Sequence, residues 1–119
     1  MKANMIVDIK YLPEFERRAK KMAKEYRSFI EDYDKFLGSL EENPFQGTSL
    51  GMGVYKTRMA VLSKGKSGGV RVLTYTVQKV NPEKIVITLL SIFDKSDIEN
   101  VSDGYIKSLV KEVKNQYEH

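Results

Sequence analysis

Residues 53–77 read GVYKTRMAVLSKGKSGGVRVLTYTV, and this stretch decides how the chain is interpreted. β-Branched and aromatic residues alternate with polar ones on both sides of a central segment that is rich in glycine and lysine. This pattern predicts two strands joined by a glycine loop. The stretch lies within a longer segment, residues 43–82, that contains no Asp or Glu and carries six cations. They are Lys56, Arg58, Lys64, Lys66, Arg71 and Lys79.

The excess of positive over negative charge is confined to this segment. The chain has a formal net charge of +4, yet outside residues 43–82 fourteen bases face sixteen acids. Alternation places Lys56 and Arg58 on one face of the first strand, and puts Arg71, Leu73 and Tyr75 together on one face of the second. Cations that have no acid nearby repel one another and are stabilised by an anion. We therefore expect a binding site for phosphate groups, such as those of a nucleic acid.

Composition limits the other possibilities. A length of 119 residues indicates a single domain spanning residues 1–119. The chain has no Cys and one His, so neither a disulfide framework nor a metal site is expected, and no cofactor is predicted. No apolar run approaches the length of a membrane span, and no apolar stretch of signal-peptide length is seen near the amino terminus. The expected location is the cytoplasm, without membrane association.

The remaining segments predict an α+β fold in the order β-α-α-β-β-β-α. Residues 5–10 form a strand, and a helix opens at Pro13. A second helix starts at Ser28, with a capping box to Glu31, and ends at Asn43. Residues 45–53 are a connection, residues 84–93 form a central strand, and Ser102 caps a last helix. We expect two N-terminal helices packed on a small twisted antiparallel sheet, with a C-terminal helix.

Two further motifs have ordinary explanations. Residues 60–67 satisfy a relaxed phosphate-loop pattern, but a strand follows it where a phosphate loop requires a helix. We interpret the loop as a hairpin connection whose Lys64 and Lys66 reach outward. A second basic run lies in the first helix, diluted by acids, and is interpreted as a solvated helix face, with a phosphate-backbone contact as the alternative. It consists of Arg17, Arg18, Lys20, Lys21 and Lys24.

At these residues the chain resembles the RelE/ParE superfamily of toxins, nearest its HigB/RelE-like branch. The resemblance rests on residues 54–75, with a basic strand, a glycine-lysine loop, a Gly-Gly exit and an Arg-bearing strand. A second match is LLSIFDKSD at residues 89–97, which is similar to the last core strand of the family and the turn after it. The resemblance implies a type II toxin that cuts mRNA on the ribosome through its 2′-hydroxyl without a metal, and that is held by a cognate antitoxin protein.

The resemblance also implies roles for individual residues. Lys56 and Arg58 correspond to cations that bind the scissile phosphate, and Arg71 to the arginine that stabilises the transition state. Lys95 falls where the family has a further catalytic cation, and Lys64 and Lys66 would bind RNA. Some members have a catalytic tyrosine near the position of Val101, and Tyr75 is a possible substitute. Two alternatives stay open: a ParE-like inhibitor of DNA gyrase, and an RNA-binding domain without catalysis.

Overall fold

The computed structural model describes residues 5–65, 68–80 and 83–117. Its helices are α1 (Pro13–Glu25), α2 (Phe29–Glu42) and α3 (Asp103–Tyr117), with short 3₁₀ turns at Leu62–Lys64 and Ile98–Asn100. Its strands are β1 (Ile6–Tyr11), β2 (Thr48–Gly51), β3 (Val54–Met59), β4 (Val70–Val80) and β5 (Glu83–Asp94). Among these described segments, no helix is long and apolar enough to cross a membrane.

The five strands form one mixed sheet in the order β1-β5-β4-β3-β2. Three of the strand pairs are antiparallel, and β1 alone runs parallel to its neighbour, β5. The predicted α+β class, with two N-terminal helices on a sheet and a helix at the end, is confirmed. The parallel edge is possible because the two helices carry the chain across the sheet between β1 and the strands that follow.

A β-bulge in β5 decides which side chains share a face with the basic residues of β4. Leu73 pairs with Ser91, but the next residue, Thr74, pairs with Leu89, so Leu90 is left as the extra residue. Because side chains alternate along a strand, this insertion moves Ser91 and Phe93 to the face opposite Ile87 and Leu89. Phe93 thereby becomes the direct neighbour of Arg71.

The helices cover the sheet on both faces. On one face, α1 and α2 bury a cluster that includes Phe15, Phe29, Phe36, Ile87 and Ile92. On the other face, α3 buries a smaller cluster through Leu109, Val110 and Val113, which pack near Leu73, Tyr75 and Phe93. The second face carries the basic residues of β3 and β4, so α3 limits how much of their surroundings is open.

Two local predictions are wrong. Residues 45–53 are not only a connection, because they contain β2, whose four residues are all exposed and show no apolar alternation. Ser28 does precede α2, but its side chain forms no capping bond to that helix, since its own backbone is helical, with ψ near 0°. Instead the Ser28 hydroxyl donates to Asp32 and accepts from the Ser63 backbone N–H. The Ser102 cap is confirmed, since its Oγ accepts from the Tyr105 backbone N–H at 3.1 Å.

Candidate nucleic-acid interface

Three basic residues from β3 and β4 lie on one face of the sheet. Arg58 pairs directly with Arg71, and Lys56 pairs with Leu73 one step further along. Paired residues of neighbouring strands project to the same side, so the predicted sharing of a face is confirmed. Arg58 is exposed, whereas Lys56 and Arg71 are half-buried.

The carbonyl oxygen of Gly68 organises this face. It accepts a hydrogen bond from Arg58 Nε at 3.0 Å and another from Arg71 Nη1 at 2.8 Å. Arg71 Nη1 also lies 3.3 Å from the carbonyl of Val70. Gly68 has φ of +88°, a left-handed conformation that glycine adopts at little cost. The glycine exit of the loop therefore turns one backbone dipole toward two guanidinium groups and fixes their orientation.

Lys95 completes the group from the end of β5. A Cβ placed on Gly68 would lie 3.1 Å from Lys95 Cδ and 3.4 Å from its Nζ, so the lysine rests against this glycine. We call Lys56, Arg58, Arg71 and Lys95 the cationic cluster. Within residues 5–65, 68–80 and 83–117, no ion pair involves any of its four members. Their charge is thus left for an external anion.

A cleft of about 430 Å³ lies on the β5 side and is lined by Phe93, the cross-strand partner of Arg71. The Arg18 guanidinium lies 4.0 Å above the centre of the Phe93 ring, and the Tyr105 ring meets Phe93 edge-on at 5.9 Å. Behind them the Tyr105 hydroxyl donates to Glu14 at 2.6 Å, so Ser91, at 2.8 Å, must donate to Tyr105. This chain of hydrogen bonds ties α3 to α1 and β5 at the base of the cleft.

The same bonds shift two pKa values. Burial raises the pKa of Tyr105, and its hydrogen bond to the Glu14 carboxylate raises it further. Burial raises the pKa of Glu14 as well, but hydrogen bonds from Tyr105 and Arg17 outweigh it and hold that pKa below its ordinary value. Tyr105 is therefore a protonated structural donor at neutral pH, which makes it unsuited to act as a general base.

The sequence of the chain matches the model of a known protein family. The family described as the RelE toxin of the RelE / RelB toxin-antitoxin system matches residues 14–118 of this chain. The chain belongs to the RelE toxin family. The RelE-family chain is thus a toxin of a type II toxin–antitoxin system, and members of this family are ribonucleases.

Its fold also matches a solved RelE structure, a double arginine-to-alanine mutant of the E. coli toxin RelE in the free state. The TM-score is 0.60 at 19% identity, covering 92% of this chain and 99% of that chain. A comparison with curated protein sequences finds no match. The structural likeness supports the RelE fold, while the family assignment rests on the sequence match.

Lys64 is not where the sequence analysis expected it in this RelE-family chain. Its side chain is only 14% exposed, and its ammonium lies 3.0 Å from Asp94 and 5.4 Å from the centre of the Tyr26 ring. Tyr26 donates to the same carboxylate at 3.0 Å, and burial together with this bond raises the pKa of Tyr26. The expectation that Lys64 reaches outward is therefore wrong, because a half-buried carboxylate draws it inward. Lys66 lies outside the described residues.

We expect Lys64→Ala to lower the free energy of unfolding by about 1–2 kcal/mol, between the values for exposed and buried ion pairs. The reason is that Asp94 would lose its ammonium partner while staying partly covered. Urea unfolding measures the change, and the exposed Lys79→Ala is the matched control because it removes an equal charge. Equal stability of the two variants would contradict the structural role of Lys64.

Tyr75 is also removed from the cationic cluster. It is 8% exposed within the α3 cluster, and it lies four residues along β4 from Arg71, or about 13 Å at ~3.3 Å per residue. Its position therefore does not suit direct contact with RNA at Arg71. Val101, which the resemblance places near the catalytic tyrosine of some members, is half-buried and lines the cleft.

Arg18, Phe93 and Tyr105 belong to this surface, and none of the three was singled out from the sequence. Arg18 was grouped with four other bases of α1, although it lies three residues after Phe15 and four before Met22. That spacing places it beside the buried stripe and was the available signal. Phe93 and Tyr105 resembled ordinary core residues. Within the described part of the chain, no group of three potential metal-ligating residues is found.

We expect Tyr105→Phe to lower the free energy of unfolding by about 1.5 kcal/mol at pH 7, the usual range for a hydrogen bond to a charged group. The pKa of Glu14 is lower in the folded protein than in the unfolded chain, so its carboxylate stabilises the fold at pH values above the unfolded pKa. This contribution is lost as the pH falls through the folded pKa. The difference between wild type and variant should therefore shrink between pH 7 and pH 3 in denaturant titrations. A difference that is constant with pH would contradict this account.

Proposed function

We propose that this RelE-family toxin is a ribosome-dependent mRNA endoribonuclease that needs no metal and is held inactive by its cognate antitoxin protein. The observation that carries the proposal is the convergence of Arg58, Arg71 and Lys95 on Gly68, with Lys56 on the same face. Four cations without an ion-pair partner in the described chain suit a phosphate group that gains negative charge during reaction.

The proposed reaction is an internal transfer at phosphorus. The 2′-oxygen of a ribose bonds to the adjacent phosphorus while the bond from phosphorus to the leaving 5′-oxygen breaks. The proton of the 2′-hydroxyl passes to solvent water as the bond forms, and the 5′-oxygen takes a proton from water as it departs, so no proton is gained or lost overall. Lys56 and Arg58 would bind the scissile phosphate, and Arg71 and Lys95 would stabilise the charge on its equatorial oxygens.

In the proposed reaction the ribosome aligns the RNA for attack. Asp94, the carboxylate at the end of β5, is engaged by Tyr26 and Lys64 and so is not positioned as a general base. A site of cations alone stabilises charge but does little to align the 2′-hydroxyl for attack. Messenger RNA held in a decoding site would arrive in a restricted geometry. Orientation of this kind can lower the free-energy barrier of a reaction by a large amount.

The antitoxin would inhibit the toxin by covering the cationic cluster. A surface with four cations attracts a segment that carries Asp and Glu, and charge complementarity of this kind steers association. We expect the antitoxin to lay an acidic segment over the cationic cluster, which would both bind the toxin and exclude RNA. This contact follows from charge and involves no metal or cofactor.

The test is to map mRNA 5′ ends after brief induction of the chain in bacterial cells, with Arg71→Ala as the paired strain. New ends at fixed positions within codons that require translation and are absent in the variant are the expected result. Growth arrest without new ends would overturn the nuclease in favour of a gyrase-directed toxin. New ends of equal number in both strains would show that the cationic cluster is not the site.

A further inference from the structure

Two aromatic rings and one guanidinium group form the cleft beside the cationic cluster. Phe93 and Tyr105 form its base, and Arg18 lies over Phe93 at 4.0 Å. Asp97 and Asn100, both exposed, line its rim on the β5–α3 connection. The cleft is therefore a concave site with one face of stacked planar groups and polar side chains at its rim.

Arg18 is held in place. Its Nε donates to the carbonyl of Ile92 at 2.8 Å, and its guanidinium is stacked on Phe93. A guanidinium that is anchored at one nitrogen and supported on one face keeps its plane fixed, and its other face is then a platform for a second planar group. Its neighbour Arg17 differs, because it is exposed and bonds only locally to Glu14 at 2.7 Å.

The cleft and the cationic cluster are joined by the sheet. Arg58, Arg71 and Phe93 are consecutive cross-strand partners on β3, β4 and β5. Neighbouring partners of this kind have Cβ atoms about 4.5–5.5 Å apart. Arg18 extends the row by stacking on Phe93. A phosphate bound between Arg58 and Arg71 would thus lie directly beside a platform suited to a nucleobase.

We propose that this cleft binds one unstacked nucleobase of the RNA, which stacks on the guanidinium of Arg18 while Asp97 and Asn100 read its edge. Protein sites for single-stranded RNA commonly stack splayed bases on guanidinium planes and hydrogen-bond their edges. The proposal deepens the proposed function, on which it rests, because it gives the RNA a second contact and a source of base preference. The carboxylate of Asp97 accepts hydrogen bonds only. Uracil offers it a single N3–H donor between two carbonyl oxygens that a carboxylate repels, so bases with an exocyclic amino group are favoured over uracil.

The test is a titration of the purified full chain with the four ribonucleoside 3′-monophosphates and with inorganic phosphate, followed by amide NMR. Nucleotides that carry an amino group should shift the amides of residues 97–105, with the uridine nucleotide weakest. Inorganic phosphate should shift Gly68 and Gly69 alone. Arg18→Ala should weaken nucleotide binding about tenfold, as the loss of one stacked base does, while Arg17→Ala should leave it unchanged. Arg18→Lys keeps the charge but loses the plane, and it should also bind weakly.

Equal binding by the Arg17 and Arg18 variants, or identical shifts from inorganic phosphate and nucleotides, would overturn the pocket. Because Arg18 packs on Phe93, circular dichroism of each variant must match that of the wild type, and Asn100→Ala, on the exposed rim, gives a second variant that should alter base preference alone. Unchanged preference in Asn100→Ala and Asp97→Asn together would also overturn it. Cleavage of mRNA with no base binding would overturn the pocket and keep the nuclease, whereas base binding without cleavage would do the reverse.

Discussion

Arg71→Ala is expected to lower the rate of mRNA cleavage on the ribosome about 10²- to 10³-fold, the usual cost of one donor that stabilises transition-state charge. Arg71 is the central member of the row, with Arg58 on one side and Phe93 on the other. Its guanidinium is held by the Gly68 carbonyl at 2.8 Å, so the group is oriented before RNA arrives. Loss of such a preoriented group should reduce the cleavage step more than it reduces binding.

Single-turnover cleavage of mRNA on programmed ribosomes measures this effect. Lys79→Ala is the matched control, since it removes an exposed cation from the same strand and the same acid-free segment. We expect Lys79→Ala to cleave at nearly the wild-type rate, and thermal unfolding to be similar for both variants. A loss of equal size in the two variants would mean that the overall charge of the segment matters and that the position of Arg71 does not.

Gly69→Ala is expected to destabilise the fold by about 3 kcal/mol or more. Gly69 has φ of +70° and is buried, and a Cβ at this position would collide with the carbonyl oxygen of Met59 on β3. The variant therefore combines left-handed strain with an overlap of backbone atoms that no side-chain rotation can relieve. Urea unfolding of the purified chain gives the change in free energy.

Gly65→Ala separates these two costs. Gly65 lies in the same loop with φ of +76°, but a Cβ there would meet no atom within 4 Å. With ψ of −141°, Gly65 adopts a conformation that residues with a Cβ rarely adopt, so only this backbone penalty of about 1–3 kcal/mol should remain. If the two alanine variants were equally stable, the close approach of Gly69 to Met59 would not be a constraint on the fold. If Gly69→Ala were severely destabilised but Gly65→Ala only mildly, the exit of the loop would be identified as the point that fixes β3 against β4.

Much of the fold was predictable because local patterns dominate it. Pro13 and the stripe that begins at Phe15 set the start of α1, and Ser102 does cap α3. Three features carried no local pattern. The strand β2 has no buried residue, and the parallel pairing of β1 with β5 depends on partners far apart in sequence. The bulge at Leu90 is hidden because Leu90 follows another apolar residue, Leu89, in a continuous apolar run.

The candidate site was predictable only where charge itself was the pattern. The absence of acids in residues 43–82, with strand alternation, indicated Lys56, Arg58 and Arg71, and Lys95 followed from family resemblance alone. The inward turn of Lys64 could not be predicted, because its partner Asp94 lies thirty residues away and belongs to another element. Arg18 was overlooked because the five bases of α1 were given equal weight. Of the five, Arg18 is the one whose spacing from Phe15 and Met22 places it beside the face of α1 that packs on the sheet.

The parallel pairing of β1 with β5 has a consequence for the order of assembly. Ile6 lies opposite Lys84 and Tyr11 opposite Leu89, so this seam closes a loop of nearly eighty residues. Closing so long a loop costs entropy before any contact is gained, and sheets dominated by distant partners fold in milliseconds to seconds. The hairpins of β3, β4 and β5 need only short loops and can form earlier. The basic surface of β3 and β4 would therefore form before β1 pairs with β5 at the edge of the sheet.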